Sequence, residues 1–375
     1  MSVDHFYQNI NQMDPLMPSP VPMHLEELAV TLLQKSAILG SVLHPITRIG
    51  MLALFREMNC YYSNLIEGHE ATPLDIQNAL KQDFSQEPAK RALQLESVAH
   101  IYVQKLIEEK LHAHPETNIC SAEFLCWIHH AFYSRLPEEF TIVSGTDGRE
   151  EHVIAGELRN QAVRVGAHVP PHHMQLNLFL KRFSDAYTPS SLTPLLRVVA
   201  IAASHHRLAW MHPFLDGNGR VIRLFSDAYF TQTHLDGHGL WTMARGLARY
   251  RTRYMQALAV ADSVRQGDLD GRGNLSQKGL VGFCEFFLET AVDRSQLKPE
   301  AIHVLHAVLL NGELSRGEAT RASGMSERFG RDLLKILLKD ELLVSSSPKG
   351  PVRLGFPLFA VEQYFPNLYR DPEEH

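Results

Sequence analysis

The segment "LTPLLRVVAIAASHHRLAWMH", residues 192–212, is apolar nearly all round, and "PFLDGNGRVIR" follows it at once. Thr193 supplies an N-cap with Pro194 behind it, so the segment reads as a helix. A helix with no polar face has to be enclosed by others, which demands a mainly α domain built around it. The Asp216-Gly217-Asn218-Gly219 run ends that helix and "VIRLFSDAYFTQTHL" resumes helical spacing, so His212 to Arg223 form a tight helix–loop–helix joint. With 375 residues, 45% of them hydrophobic, the chain has length for two or three packed domains.

Before this joint, the prolines of "MDPLMPSPVPM" forbid regular helix, and "HLEELAVTLLQKSAILG" then recovers helical periodicity. "PITRIGMLALFREMNCYYSNLIEG" is a second amphipathic helix closed by Gly68, and Thr72 and Pro73 open a third. The segment "EEHVIAGELRNQAVRVGAHVPPHH" interrupts the helices with glycines and β-branched residues, and reads as a short hairpin followed by a Pro-Pro stop. From about residue 297 the order helix, helix, Gly-containing turn, helix, then two strands around Pro-Lys-Gly predicts a winged helix-turn-helix. The expected division is 1–100, 101–296 and 297–375.

The net charge of −6, from 42 acidic and 36 basic residues, gives the chain no overall footprint for nucleic acid or anionic membrane. Cys60, Cys120, Cys126 and Cys284 form no CxxC pair and read as reduced and structural. The first twenty residues lack a basic n-region and an apolar h-region, and no stretch has the length of a membrane span, so a cytoplasmic protein is expected.

The joint gathers groups that suit a phosphorylated ligand. Gly217, Asn218 and Gly219 let the backbone turn and present successive N–H groups, to which the following helix adds its dipole. Arg220 and Arg223, three apart, reach the same side and can grip phosphate oxygens. Asp216 beside them suits Mg²⁺, which commonly takes one protein acid plus phosphate oxygens and water. His212 completes the set as a neutral base.

His212-Pro-Phe214-Leu-Asp216-Gly217-Asn218-Gly219-Arg220-Val-Ile-Arg223 resembles the signature of the Fic (Fido) family at every defining position. The resemblance implies a Fic/Fido helical core with a short β-hairpin flap, ATP and Mg²⁺, and protein AMPylation, the transfer of AMP from ATP to a hydroxyl of a target protein or of the enzyme itself. Under it His212 deprotonates the hydroxyl, Phe214 anchors the loop and Asp216 holds Mg²⁺ on the phosphates. The N–H groups near Asn218 and Gly219, with Arg220, cradle the α- and β-phosphates, and Arg223 meets the γ-phosphate. "GELRNQAVRVGAHVPP" resembles the flap, and Tyr254 in "RGLARYRTRYMQAL" resembles an adenine-stacking residue, although Arg249 stands where relatives often carry a small amide residue.

"SNLIEG", Ser63 to Gly68, resembles the inhibitory motif of the family class whose inhibitory helix, here about 48–68, precedes the core. Glu67 is then expected to occupy Arg223, with Ser63 one turn behind to orient it. The paired histidines 129–130, 172–173 and 205–206 carry no repeating acid or Cys at ligand spacing and read as core or surface histidines. Arg328, Arg331, Lys335 and Lys339 form a basic face that fits DNA or a protein partner equally. Two rival functions follow: removal of AMP by the same site, and a DNA-binding regulator whose core senses nucleotide. The target protein and the oligomeric state are not written in the sequence.

Overall fold

The structure is a computed structural model that describes residues 7–42, 45–69, 71–144, 150–237, 239, 241–294, 299–340 and 342–354. Helices dominate: α1 (Met23–Val42), α2 (Pro45–Glu67), α3 (Pro73–Leu80), α4 (Pro88–Ala113) and α5 (Ala122–Tyr133) precede a hairpin of β1 (Ile142–Ser144) and β2 (Glu150–His152). Then come α6 (Leu176–Tyr187), α7 (Pro194–Met211), α8 (Asn218–Gln232), α9 (Met243–Arg249), α10 (Arg251–Ala261) and α11 (Gln277–Arg294). Among the described residues no helix is long and apolar enough to cross a membrane.

The helix that organises the rest is α7. Thr193 caps it by accepting from the Leu196 N–H, and Pro194 stands in its first turn. Every residue from Val198 to Ala203 is fully buried, and α1, α6, α8, α10 and α11 pack around it. Burying each of its large apolar side chains stabilises by about 1.5–3 kcal/mol. Ser204, His205, His206 and Arg207 are enclosed too, and each has partners. His205 bonds Ser226 Oγ through Nδ1 at 2.7 Å and the Tyr254 hydroxyl through Nε2 at 2.8 Å. Arg207 donates to the Pro15 carbonyl from Nε and Nη2, which ties the proline-rich arm to the back of the core.

Helix α2 ends where the sequence places its end, at Glu67, with Gly68 in a left-handed turn at φ +84°. Its described inner face carries hydrogen-bonding groups beside the apolar Ile66: Asn59, Cys60, Ser63 and Asn64 are all buried. Asn59 donates to Gln104 Oε1 on α4 and to Asp227 Oδ2 on α8, and Asn64 donates to Ser97 Oγ. The α2 seam is therefore held by directed hydrogen bonds in addition to apolar contact.

The hairpin lies upstream of its expected position. The strands pair antiparallel with Val143 opposite Glu151, so only residues 150–152 of the expected segment are strand. From residue 153 onward that segment runs as turns and one isolated bridge, Val165 to His168. The reason is a buried guanidinium, Arg159, around whose donors the backbone is wrapped.

Beyond α11, α12 (Pro299–Asn311), α13 (Arg316–Ala322) and α14 (Glu327–Lys339) surround an apolar cluster of their own that includes Val304, Leu333, Leu337 and Val352. With them is an antiparallel sheet in the order β3 (Glu313–Leu314), β5 (Val352–Leu354), β4 (Leu343–Val344), one strand more than the sequence suggested. Arg328, Arg331, Lys335 and Lys339 are exposed on α14, where Arg331 pairs with Glu327 at 2.7 Å and Lys335 with Asp332 at 2.8 Å.

Candidate active site

His212 is the C-cap of α7 and takes the left-handed conformation, φ 46° and ψ 62°. A β-substituted residue is held there at a cost of roughly 1–2 kcal/mol, so the surroundings must enforce it. They do so through Arg159. Its Nε donates to the His212 carbonyl at 2.8 Å, its Nη2 to the carbonyls of Pro171 and Met211, and its own N–H to the Pro213 carbonyl at 3.0 Å. Burial lowers the His212 imidazole to about 4, and the charge of Arg159 adds to that effect. His212 is thus neutral at physiological pH, the form a general base requires.

The loop after His212 is braced from inside. Phe214 is fully buried and stacks on His129, ring centroids 4.2 Å apart. The Asn218 side chain closes the loop on itself: Oδ1 accepts from the Phe214 N–H at 2.9 Å and Nδ2 donates to the Phe214 carbonyl at 2.8 Å. Its contribution to ligand binding is accordingly confined to its backbone. Gly217 caps α8 at φ +75°, and a Cβ there would lie 2.6 Å from the Tyr133 ring, so geometry and space both require glycine. His129 accepts from the Gly156 N–H through Nδ1 at 2.8 Å, and burial holds its imidazole down to about 4. Its Nε2 therefore carries the proton and reaches the Asp216 carbonyl at 3.3 Å. The Tyr133 hydroxyl donates to Asp216 Oδ2 at 2.7 Å, which fixes the carboxylate at the edge of the pocket.

Both arginines of α8 are buried and paired. Arg223 donates from Nε to Ser63 Oγ at 2.8 Å and from Nη2 to Glu67 Oε1 at 2.5 Å, so the expected Ser63–Glu67–Arg223 set is assembled. Burial acts to raise the Glu67 carboxyl, but Arg223 outweighs it and holds the group below the usual carboxylate range. The Glu67 carboxylate lies over the first turn of α8, in the space that a Cβ at Gly219 would take. Arg251 donates to the Ile66 carbonyl at 2.8 Å and so secures the end of α2. Arg220 pairs with Glu96 of α4 at 2.7 Å. A pocket of about 330 Å³ is lined by these groups, among them Glu67, Glu96, His212, Asp216, Gly219 and Arg220.

Tyr254 is not on the wall of that pocket. It is buried in the core, with its hydroxyl on His205 Nε2 and its ring stacked at 6.4 Å on Phe286, because α10 turns its inner face to α7 and α11. Arg249 is exposed, its guanidinium 5.6 Å from the Tyr250 ring. Four groups that hold the site went unassigned in the sequence: Arg159, His129, Tyr133 and Glu96. Tyr133 and His129 share one face of α5 at a spacing of four, a signal that is visible only once α5 is known to face the loop.

The sequence pattern of the Fic/DOC family matches residues 119–230, which run from the turn before α5 through β1, β2 and α7 into α8. Over residues 119–230 the chain is thus similar to the Fic/DOC family. Curated relatives include the protein adenylyltransferase Fic of Drosophila willistoni, 39% identical over 77 residues, 20% of this chain and 16% of that protein. The corresponding protein of Drosophila erecta is 38% identical over the same length. The chain thus matches 16% of the length of these relatives. Among solved structures, a Fic family protein from Desulfovibrio desulfuricans superimposes with a TM-score of 0.54 at 18% identity, covering 90% of this chain and 98% of that one. A Fic domain containing signaling protein from Bacteroides thetaiotaomicron gives a TM-score of 0.54 at 18% identity over 73% of this chain and 96% of that one. These structures share the fold of the Fic domain and its helical surroundings.

Proposed function

We propose that the protein is an adenylyltransferase that moves AMP from ATP to a hydroxyl of a target protein and of itself, and that Glu67 restrains it. The observation that carries this reading is the single pocket shared by a buried neutral imidazole, His212, and a glycine-turned helix N-terminus with Arg220 beside it. His212 accepts the proton of the attacking hydroxyl as the new O–P bond forms at the α-phosphorus and the bond to the departing pyrophosphate breaks. The loop N–H groups and Arg220 meet the α- and β-phosphate oxygens, and Arg223 serves the γ-phosphate once Glu67 leaves it.

Asp216 presents one tethered carboxylate to the pocket, and among the described residues no group of three or more His, Cys, Asp or Glu stands together to cage an ion. Such a donor set fits Mg²⁺ held jointly with phosphate oxygens. When bound, Mg²⁺ neutralises phosphate charge.

A second reading, hydrolytic removal of AMP, rests on the resting geometry: with Arg220 on Glu96 and Arg223 on Glu67, the donors left for a ligand are those of the loop and Nε of Arg220, which suit one phosphate. One experiment separates the two. Full-length protein, wild type and Glu67→Gly, is incubated with α-labelled ATP and cell lysate, and with AMPylated lysate proteins. Label gained in protein, more strongly with Glu67→Gly, supports transfer. Release of AMP by wild type without any gain of label supports removal and overturns transfer.

A further inference from the structure

Glu67 accounts for only one of the two phosphate-facing arginines. Arg220 has a carboxylate of its own, from a different helix. Glu96 on α4 sets Oε2 2.7 Å from Arg220 Nη2, with the two side chains only 15% and 10% exposed. His69, in the turn that closes α2, brings Nδ1 to 3.3 Å from the same Oε2 and to 3.4 Å from Arg220 Nη2. The Phe132 ring stands 5.1 Å from the Arg220 guanidinium. Arg220 Nε is buried and has no hydrogen-bond partner. One end of the guanidinium is thus committed to Glu96 while Nε waits for an acceptor, and Glu96 itself borders the pocket where a phosphate would enter.

We propose that Glu96 is an affinity-setting residue for the nucleotide: its carboxylate holds Arg220 in the resting protein and competes with the incoming phosphates for that guanidinium, independently of Glu67. The inference rests on the reading of the pocket as an ATP site. Around the loop stand three carboxylates, Glu67, Glu96 and Asp216, against two guanidiniums, Arg220 and Arg223. Glu67 and His69 belong to α2 and its closing turn, so movement of α2 releases Arg223 and removes one neighbour of Glu96. Glu96 belongs to α4, which is packed on α8 and α5 as well as on α2, and its bond to Arg220 is made without Glu67. A chain relieved of Glu67 therefore still binds polyphosphate against a second carboxylate. A counter-ion that only neutralises a buried arginine would be indifferent to how many phosphates the ligand carries. A competitor is not.

The test measures calorimetric binding of ATP, ADP and adenosine, with magnesium chloride, to full-length Glu67→Gly and to Glu67→Gly/Glu96→Gln. Glutamine keeps an acceptor for Arg220 Nη2 while it removes the charge and turns the other oxygen into an N–H donor, so cooperative thermal unfolding should be retained. The expected result is a Kd for ATP lowered about tenfold, the effect of one unit charge a few ångströms from a partly exposed anion, with ADP also tightened and adenosine unchanged. An ATP affinity that is equal or weaker, or an equal gain for adenosine, overturns the proposal. If the glutamine variant does not fold, Glu96→Asp draws the carboxylate back by one methylene. It should give the same ordering of ligands, and failure to do so overturns the proposal equally. A Glu67→Gly parent that binds no ATP sinks the transfer reading itself, and this inference with it; a parent that binds ATP with no response at position 96 sinks only the role of Glu96.

Discussion

Glu67 Oε1 lies 2.5 Å from Nη2 of Arg223, and the pair joins the last residue of α2 to the second turn of α8. The arginine is nearly enclosed, with 5% of its side chain exposed, while the carboxylate keeps 34%. The pair is therefore asymmetric: Glu67 has solvent to move into, and Arg223 does not.

Removal of that carboxylate should raise both nucleotide affinity and turnover. Glu67→Gly frees Arg223 and the space above Gly219, and misplacement of the phosphates by about an ångström costs on the order of a hundredfold in rate. Self-AMPylation followed with labelled ATP should rise by about that factor, and Arg223→Ala added to Glu67→Gly should cancel the gain. Equal labelling of wild type and Glu67→Gly would remove Glu67 from regulation.

Substitution of His212 separates chemistry from binding. A base contributes to the transition state and little to the ground state, so His212→Ala in a Glu67→Gly background should lose about 10²- to 10⁴-fold in transfer while ATP binds nearly as before. Single-turnover rates alongside calorimetric Kd values check the split. Transfer at the full rate would exclude His212 as the base.

Arg159 should matter to both stability and chemistry although it is 53 residues from His212 in sequence. Arg159→Leu leaves the carbonyls of Gln161, Pro171 and His212 without their donor, at a cost of about 3 kcal/mol in chemical denaturation. It also removes a positive neighbour, so the His212 imidazole should titrate above its present value of about 4. Histidine NMR titration of the folded variant reads this directly, and an unmoved His212 would mean that burial alone sets it.

Acid should weaken the fold through its enclosed histidines. His100 and His205 are held to about 3, and His129 and His212 to about 4, in each case first by burial. Unfolded, each binds a proton near pH 6.5, so between pH 6.5 and about 4 the unfolded chain carries protons that the fold rejects, and stability falls as pH falls. Asp227 opposes this: burial pushes it up to about 7, so the fold keeps a proton there that the unfolded chain gives up above about pH 4. Burial also raises Glu57, on the side of Asp227, and lowers His206, on the side of the other imidazoles, so the histidines outnumber the opposing carboxyls and stay in control. The Tm from circular dichroism should drop by about 5 °C or more between pH 7 and pH 5. A flat profile would place these imidazoles in contact with water.

Legibility in the sequence followed the range of the forces involved. The α7–loop–α8 joint was readable because residues there answer to their own backbone or charge, Thr193 as a cap and Gly217 in a left-handed turn, whereas Phe214 as an anchor followed only from the resemblance to the Fic family. Glu67 was readable because the motif that contains it is local. Arg159, Tyr133 and Glu96 act across space on loops far away in the chain, and on their own helices or turns they look like ordinary polar positions. The hairpin was misplaced for a related reason. Residues 153–169 have the β-branched spacing of strands, but Arg159 takes the carbonyl of Gln161 within them and those of Pro171 and His212 beyond them, and no periodicity records that.

The left-handed backbone at His212 sets folding and chemistry against each other at one position. A glycine there would relieve the torsional cost while the Arg159 bonds, which involve only main-chain carbonyls, stayed in place. The inactive His212→Gly chain should for that reason unfold no more easily than its parent once the lost imidazole packing is allowed for. If the proposed transfer is what the chain is kept for, selection on transfer retains the histidine under drift, and descendants that keep the fold and lose the imidazole are the expected form of decay.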